Sequence, residues 1–277
     1  MKIRLCSLAV ALATSAGVAD LTLTGWTSFD PYTSYAITHP TPIQIRVDQT
    51  VPGTVAGPGW VVSDVVAPAI TTIRAMVRVI DAAGDDDIIG IAFCWQDETH
   101  FYLLDWKRTA QTFNWGEPVV INDDHAERGI KIKKIDGAWT RDGLWGGKDG
   151  IGVSEIAGPV DMPWVQGTDY SFEIDLAPGL IVVRLNGNEI FNVADATYAG
   201  GRFTTYSFSQ DNVLFGGYCA TGLCVADCED DCDLDVFDFL CFQQRFVDQD
   251  PYADFEGDGD WDVFDFLAFQ NAYATGC

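Results

Sequence analysis

Between residues 20 and 218 the apolar positions come in short runs rich in β-branched and aromatic residues, separated by turn-forming residues. Runs at 43–47, 73–80, 88–95, 101–106, 130–135, 170–176, 180–185 and 203–208 predict strands. Several alternate apolar with polar, the two-residue period of a strand with one face in a core. Asn186-Gly187-Asn188 joins two of these runs and predicts a tight hairpin. No amphipathic helical pattern of useful length interrupts them. About 200 residues of short strands make this segment mainly β, a sandwich or jelly roll.

From residue 219 the pattern changes. Residues 219–226, with Gly222 inside, read as a linker, and residues 227–250 align with 254–277 at an offset of 27, with 12 of 24 pairs identical. Each repeat opens with a twelve-residue acidic loop, Asp227 to Asp238 and Asp254 to Asp265. Phe-Leu-x-Phe-Gln follows, then an aromatic (Phe246, Tyr273). That predicts one exit helix per loop and no entering helix. At 100° per residue Phe239, Phe242 and Phe246 form one stripe, and Val236, Phe237, Leu240 and Cys241 another.

Charge sharpens this division. The net charge is −25, and residues 227–277 hold 15 acidic residues against the single Arg245. Clustered Lys and Arg are missing, so nucleic acid is a poor partner and divalent cations are better ones. Acidic side chains fall at loop positions 1, 3, 5, 9 and 12: Asp227, Glu229, Asp231, Asp235 and Asp238, then Asp254, Glu256, Asp258, Asp262 and Asp265. Calcium takes six to eight oxygens, and this spacing wraps carboxylates round one ion, with Asp233 and Asp260 at position 7 offering backbone carbonyls. Position 6 needs a sharp turn. Gly259 supplies it in the second loop, but Cys232 stands there in the first, a departure expected to weaken or strain that site.

The first residues carry Lys2 and Arg4, an apolar run at 5–12 and then Gly17-Val18-Ala19. This is the pattern of a secretory signal peptide cut after Ala19. Losing those two cations takes the charge from −25 to −27. No segment is long and apolar enough to span a bilayer. Export permits disulfides among Cys219, Cys224, Cys228, Cys232, Cys241 and Cys277, whose 15 possible pairings the spacing leaves open. Cys94, in an apolar run, is expected to be a buried free thiol.

Two resemblances follow. Asp at position 12, the missing entering helix and the tandem repeat resemble the dockerin family, most closely bacterial cysteine-bearing variants that end in Gly-Cys, as Gly276-Cys277 do here. The resemblance implies calcium and a cohesin-like or cell-surface protein partner. It also implies recognition through positions 10 and 11, Val236-Phe237 and Val263-Phe264. These residues equally suit a small core. The second resemblance rests on two segments. One begins Asp85-Asp86-Asp87-Ile88-Ile89-Gly90, continuing to Phe101-Tyr102-Leu103-Leu104-Asp105-Trp106-Lys107 and Gln111-Thr112-Phe113. The other begins Tyr198-Ala199-Gly200-Gly201-Arg202-Phe203 and runs on to Phe208-Ser209-Gln210 and Val213-Leu214-Phe215. They look like the C-terminal domain of thrombospondins, which implies a concanavalin-like, L-type-lectin-like sandwich and calcium at Asp85, Asp86 and Asp87. The calcium-repeat region that normally precedes that domain is missing.

Such folds host lectins, matrix-binding modules and glycosidases alike. Trp139, Trp145 and Trp164 are the candidate sugar-stacking residues, since indole faces pack on sugars. Glu173 and Asp175 share one strand face, as glycoside hydrolysis would require, but a third acid is missing there. His39, His100 and His125 form no triad. The expectation is a secreted, non-catalytic, calcium-binding protein whose sandwich binds carbohydrate, matrix or protein and whose tail docks. A dockerin-tailed glycosidase and a purely structural surface protein are the alternatives.

Overall fold

Two seven-stranded antiparallel sheets pack face to face in the computed structural model, which describes residues 20–118, 124–147 and 151–275 and the backbone of Gly17 and Val18. Asp20–Val225 form one unit, and Ala226–Gly276 belong to a second. The signal-peptide expectation falls on residues 1–19, outside the described residues except for Gly17–Val18, which pair with Asp233–Leu234.

The first sheet runs, edge to edge, Val153–Val160, Gly129–Asp136, His100–Lys107, Ile88–Asp97, Thr204–Phe208, Pro58–Val62 and Thr27–Phe29. The second runs Asn188–Val193, Leu180–Leu185, Tyr170–Ala177, Thr71–Val79, Val213–Ala220, Gln44–Gln49 and Tyr35–Thr38. Every pairing within them is antiparallel, so the first segment is the mainly β, lectin-like sandwich that its patterning predicts.

The two sheets differ in how they are buried, and the sequence shows why. Thr71–Val79 alternates strictly: Ile73, Ala75, Val77 and Val79 enter the core while Arg74, Met76 and Arg78 face out. The neighbouring strands of the first sheet are buried on both faces. Ile89, Ile91 and Phe93 join the inter-sheet core, whereas Ile88 and Ala92 join a second cluster on the far side. Tyr102, Leu104 and Trp106 divide from Phe101 and Leu103 in the same way. Strands covered on both faces read as nearly unbroken apolar runs. The cover over the far side comes from Phe113, Trp115 and Trp139 and from the short helix Arg141–Gly146, which contributes Leu144 and Trp145.

The hairpin at Asn186-Gly187 is present, with Leu185 opposite Asn188 and φ of 50° and 76° at the two turn residues. A two-residue turn of that hand matches the twist of its strands. One boundary needs correcting. The last strand continues through Cys219 to Ala220, so the predicted linker begins inside the sheet. Cys219 is only 4% exposed, packed where a linker residue would lie open.

In the tail, the two exit helices are Val236–Val247 and Val263–Thr275. They meet through their aromatic stripes: Phe242 stacks on Phe269 at 4.0 Å and Phe239 meets Phe266 edge-on at 5.7 Å. Cys228 and Cys241 are joined by a disulfide, and Cys219, Cys224 and Cys232 are disulfide-bonded as well. Cys94 is free and buried, and burial pushes its thiol up to about 12.

Candidate functional site

The sandwich's candidate site lies where the far-side cover meets the ends of the central strands. A cavity of about 220 Å³ is bounded by Gly53, Thr54, Asp87, Gln111, Phe113, Trp115, Trp145 and Ser209. Its aromatic wall is continuous: Phe113 and Trp115 lie 4.4 Å apart, and Trp115 and Trp145 5.1 Å apart, nearly perpendicular. Fixed groups hold that wall. Asp142, fully buried at the start of the short helix, accepts the backbone N–H groups of Trp115 and Glu117, both at 2.7 Å. Arg141 pairs with Glu117 at 2.6 Å, and Trp145 donates its indole N–H to Gln111 O at 3.2 Å.

The floor is polar. Lys107, 1% exposed, donates to Asp87 Oδ1 at 2.6 Å, to Asp86 O at 3.1 Å and to Gln111 Oε1 at 3.0 Å. Its ammonium lies 4.4 Å from the centre of the Trp145 ring, within cation–π range. Ser209 sits at φ 60°, a left-handed conformation that costs a non-glycine residue about 1–2 kcal/mol. Such strain persists only where the surroundings impose it, often beside ligands.

This geometry revises several sequence expectations. The Lys107 ammonium reaches Asp87 and lies 3.6 Å from Asp86, so two of the three aspartates share one cation. Asp85 turns instead to the N–H groups of Asp86 and Asp211. Burial, with the Asp87 charge adding, pushes the Asp85 carboxyl up to about 7. Trp164 belongs to the inter-sheet core, bonded to Asp87 O, and a ring without solvent access cannot stack on a sugar. Trp139 is half-buried against Trp60 and donates to Glu98 O. Trp145 alone of the three tryptophans lines the cavity. Gln111, Phe113, Trp115 and Ser209 join it unpredicted, although Gln111, Phe113 and Ser209 stand within the segments that carried the thrombospondin resemblance.

The Glu173–Asp175 pair does share a face, and the face is engaged. Arg184 bridges both carboxylates, Arg74 reaches Glu173 at 3.2 Å, and Thr72 donates to Asp175 at 2.8 Å. Two acids held by guanidinium groups make a surface ion-pair ladder.

The tail loops share one pattern of carboxylate-to-amide bonds, to which the second adds a bond from the Phe255 N–H to Asp265. Asp227 accepts the N–H groups of Asp231 and Cys232; Asp254 accepts those of Asp258 and Gly259. Asp238 and Asp265 reach back to positions 3 and 9 of their own loops. Both loops take positive φ at positions 4 and 6, through Asp230 and Cys232 in the first and Gly257 and Gly259 in the second. Cys232 therefore adopts the turn that glycine would supply. Among the described residues, no three His, Cys, Asp or Glu side chains are gathered as metal ligands. The donor chemistry still suits calcium: every acid is an oxygen donor, and an amide bond to a carboxylate oxygen leaves a lone pair over. Val236, Phe237, Val263 and Phe264, at positions 10 and 11, stand 56–60% exposed.

The fold and the cavity define a lectin-like β-sandwich with a walled site at the end of one sheet. The family described as the thrombospondin C-terminal region matches residues 74–221, and the chain belongs to it. Thrombospondin-3a of Danio rerio is 30% identical over 150 residues, covering 49% of this chain and 15% of its own length. Cartilage oligomeric matrix protein of Bos taurus is likewise 30% identical over 150 residues, 49% of this chain and 19% of its own. The chain thus spans less than a fifth of these curated relatives. Among solved structures, the carbohydrate-binding module CBM66 from Bacillus subtilis aligns at TM-score 0.48 and 13% identity, over 71% of this chain and 95% of its own. The VIP36 exoplasmic/lumenal domain in its Ca2+/Man-bound form aligns at 0.45 and 12%, over 69% and 81%.

Proposed function

We propose that this is an extracellular, non-catalytic binding protein in two parts. The sandwich recognises a carbohydrate, matrix or protein ligand. The dockerin-like tail, ordered by two calcium ions, docks the molecule on a cohesin-like or cell-surface protein. A relative named for the cartilage matrix supports the first part.

The observation that carries the second part is the doubling itself. Two loops 27 residues apart repeat one carboxylate-to-amide pattern, and each ends beside the same exposed Val-Phe pair. Asp227, Glu229, Asp231, Asp235 and Asp238, with the Asp233 carbonyl, would hold one ion. Asp254, Glu256, Asp258, Asp262 and Asp265, with the Asp260 carbonyl, would hold the other. An acidic surface needs no such register, nor does a small core leave four large apolar residues in water.

Calorimetric titration of the full chain with calcium tests this reading. Two sites are expected, reduced to one by Asp265→Ala or by Asp238→Ala. Capture of a cohesin-type domain should require calcium and fail with Val236→Asp/Val263→Asp. Heatless mixing with an unchanged thermal transition would overturn it.

A further inference from the structure

We propose that the cavity is a subsite for one uncharged sugar ring, the terminal residue of a glycan. The assignment rests on reading the sandwich as a ligand-binding module, and narrows it to a chemical class.

Size sets the first limit. At about 220 Å³ the space falls below the roughly 300–1,000 Å³ of ordinary small-molecule pockets, so it holds one ring and not an oligosaccharide. Surface chemistry sets the second. Phe113 and Trp115, both half-buried, offer aromatic faces to the apolar C–H side of a pyranose, with the buried Trp145 behind them. Asp87, Gln111 and Ser209 bring a carboxylate, an amide and a hydroxyl to the same space, which suits a ring edged with hydroxyl groups. The Gln111 carbonyl is already taken by Lys107, so its NH2 is the group left to donate. An extended peptide would instead need an open groove or a free sheet edge.

Charge sets the third limit. The ammonium of Lys107 is spent on Asp86 and Asp87, with the Asp85 carboxyl next to Asp87, and Arg141 is spent on Glu117. Among the described residues that bound the cavity none is a cation able to receive a carboxylate or a sulfate, so the neighbouring carboxylates disfavour uronic, sialic and sulfated sugars. The wall is also preorganised. Asp142 fixes the backbone on both sides of Gly116, and ordering therefore costs little on binding.

The test uses the full chain, read by tryptophan fluorescence and thermal shift. Methyl glycosides of glucose, galactose, mannose and N-acetylglucosamine are the probes, with glucuronate as the anionic comparison. At least one neutral glycoside should quench fluorescence and raise the Tm, with glucuronate silent. Trp115→Ala should weaken binding about tenfold or more, a change of about 1.4 kcal/mol. Gln111→Ala should weaken it too, with a smaller effect on folding. Trp139→Ala, outside the cavity, should bind like the parent chain.

Silence from every neutral glycoside overturns the proposal, as does equal binding of glucuronate or unimpaired binding by a folded Gln111→Ala. The same samples are run on an array of glycans and matrix proteins. Specific capture that survives the cavity variants discards the sugar subsite and leaves the ligand-binding reading standing. Capture of nothing by the parent chain discards both.

Discussion

Lys133 is wholly buried on the first sheet, where its ammonium meets the carboxylate of Asp105 and the carbonyl of Leu144. Burial pulls its proton affinity down and Asp105 opposes that. Removing one partner of a buried pair strands the other charge. Lys133→Met is therefore expected to cost about 3–5 kcal/mol, read from chemical denaturation, with Lys133→Met/Asp105→Leu recovering much of it. Asp85 poses the opposite case. Its carboxyl is pushed up to about 7, well above its value of about 3.9 in an unfolded chain. Between those values the folded state holds a proton that the unfolded state has released, so stability falls as pH rises. The contribution is complete below pH ~4 and lost through pH ~7. Asp85→Asn should flatten the pH dependence of Tm across that window and raise the Tm at pH 8; an unchanged profile would show that the acid is not strained.

At the scale of single elements, each tail loop and its exit helix form one device. Asp235 caps the first helix by accepting the Phe237 N–H at 2.7 Å, while Asp238 reaches back to the Asp235 N–H at 2.9 Å, a reciprocal capping box. Asp262 and Asp265 repeat both bonds in the second. The acids at positions 9 and 12 thus order the helix start as well as offering oxygens to an ion, and loop and helix form together. The first repeat adds a covalent clamp, because Cys228 at loop position 2 is bonded to Cys241 in the helix, a separation of 13 residues. Closing a loop of about 15 residues is worth about 3 kcal/mol. Cys228→Ala/Cys241→Ala should lower the tail's thermal transition in chelator and less so in calcium, which closes the same loop by ligation.

For the molecule as a whole, the two segments reach order by different routes. The sandwich has a large inter-sheet core and a second aromatic cluster on the far side of one sheet. The tail is small and has few fully buried apolar side chains, Phe242 and Phe269 chief among them. A domain of that size needs staples, here disulfides and, on our reading, calcium. Chelator should therefore act on the tail and leave the sandwich transition in place. Among the described residues no helix is long and apolar enough to cross a membrane.

The sequence by itself settled the class of the sandwich, the doubling of the tail and its exit helices, because alternation, helical stripes and acidic spacing are local patterns that survive any arrangement of neighbours. It located the strands at 88–95 and 101–106 but not their burial on both faces, and it passed over short or glycine-bearing strands such as Pro58–Val62 and Val153–Val160. The candidate cavity was decided by the tertiary structure alone. Gly53, Asp87, Gln111, Trp145 and Ser209 are far apart in the chain, and only sheet pairing and the cover laid across it bring them to one wall. For the same reason a tryptophan's role could not be read from its identity. Trp164 and Trp145 look alike in sequence, and packing sends one into the core and the other to the cavity.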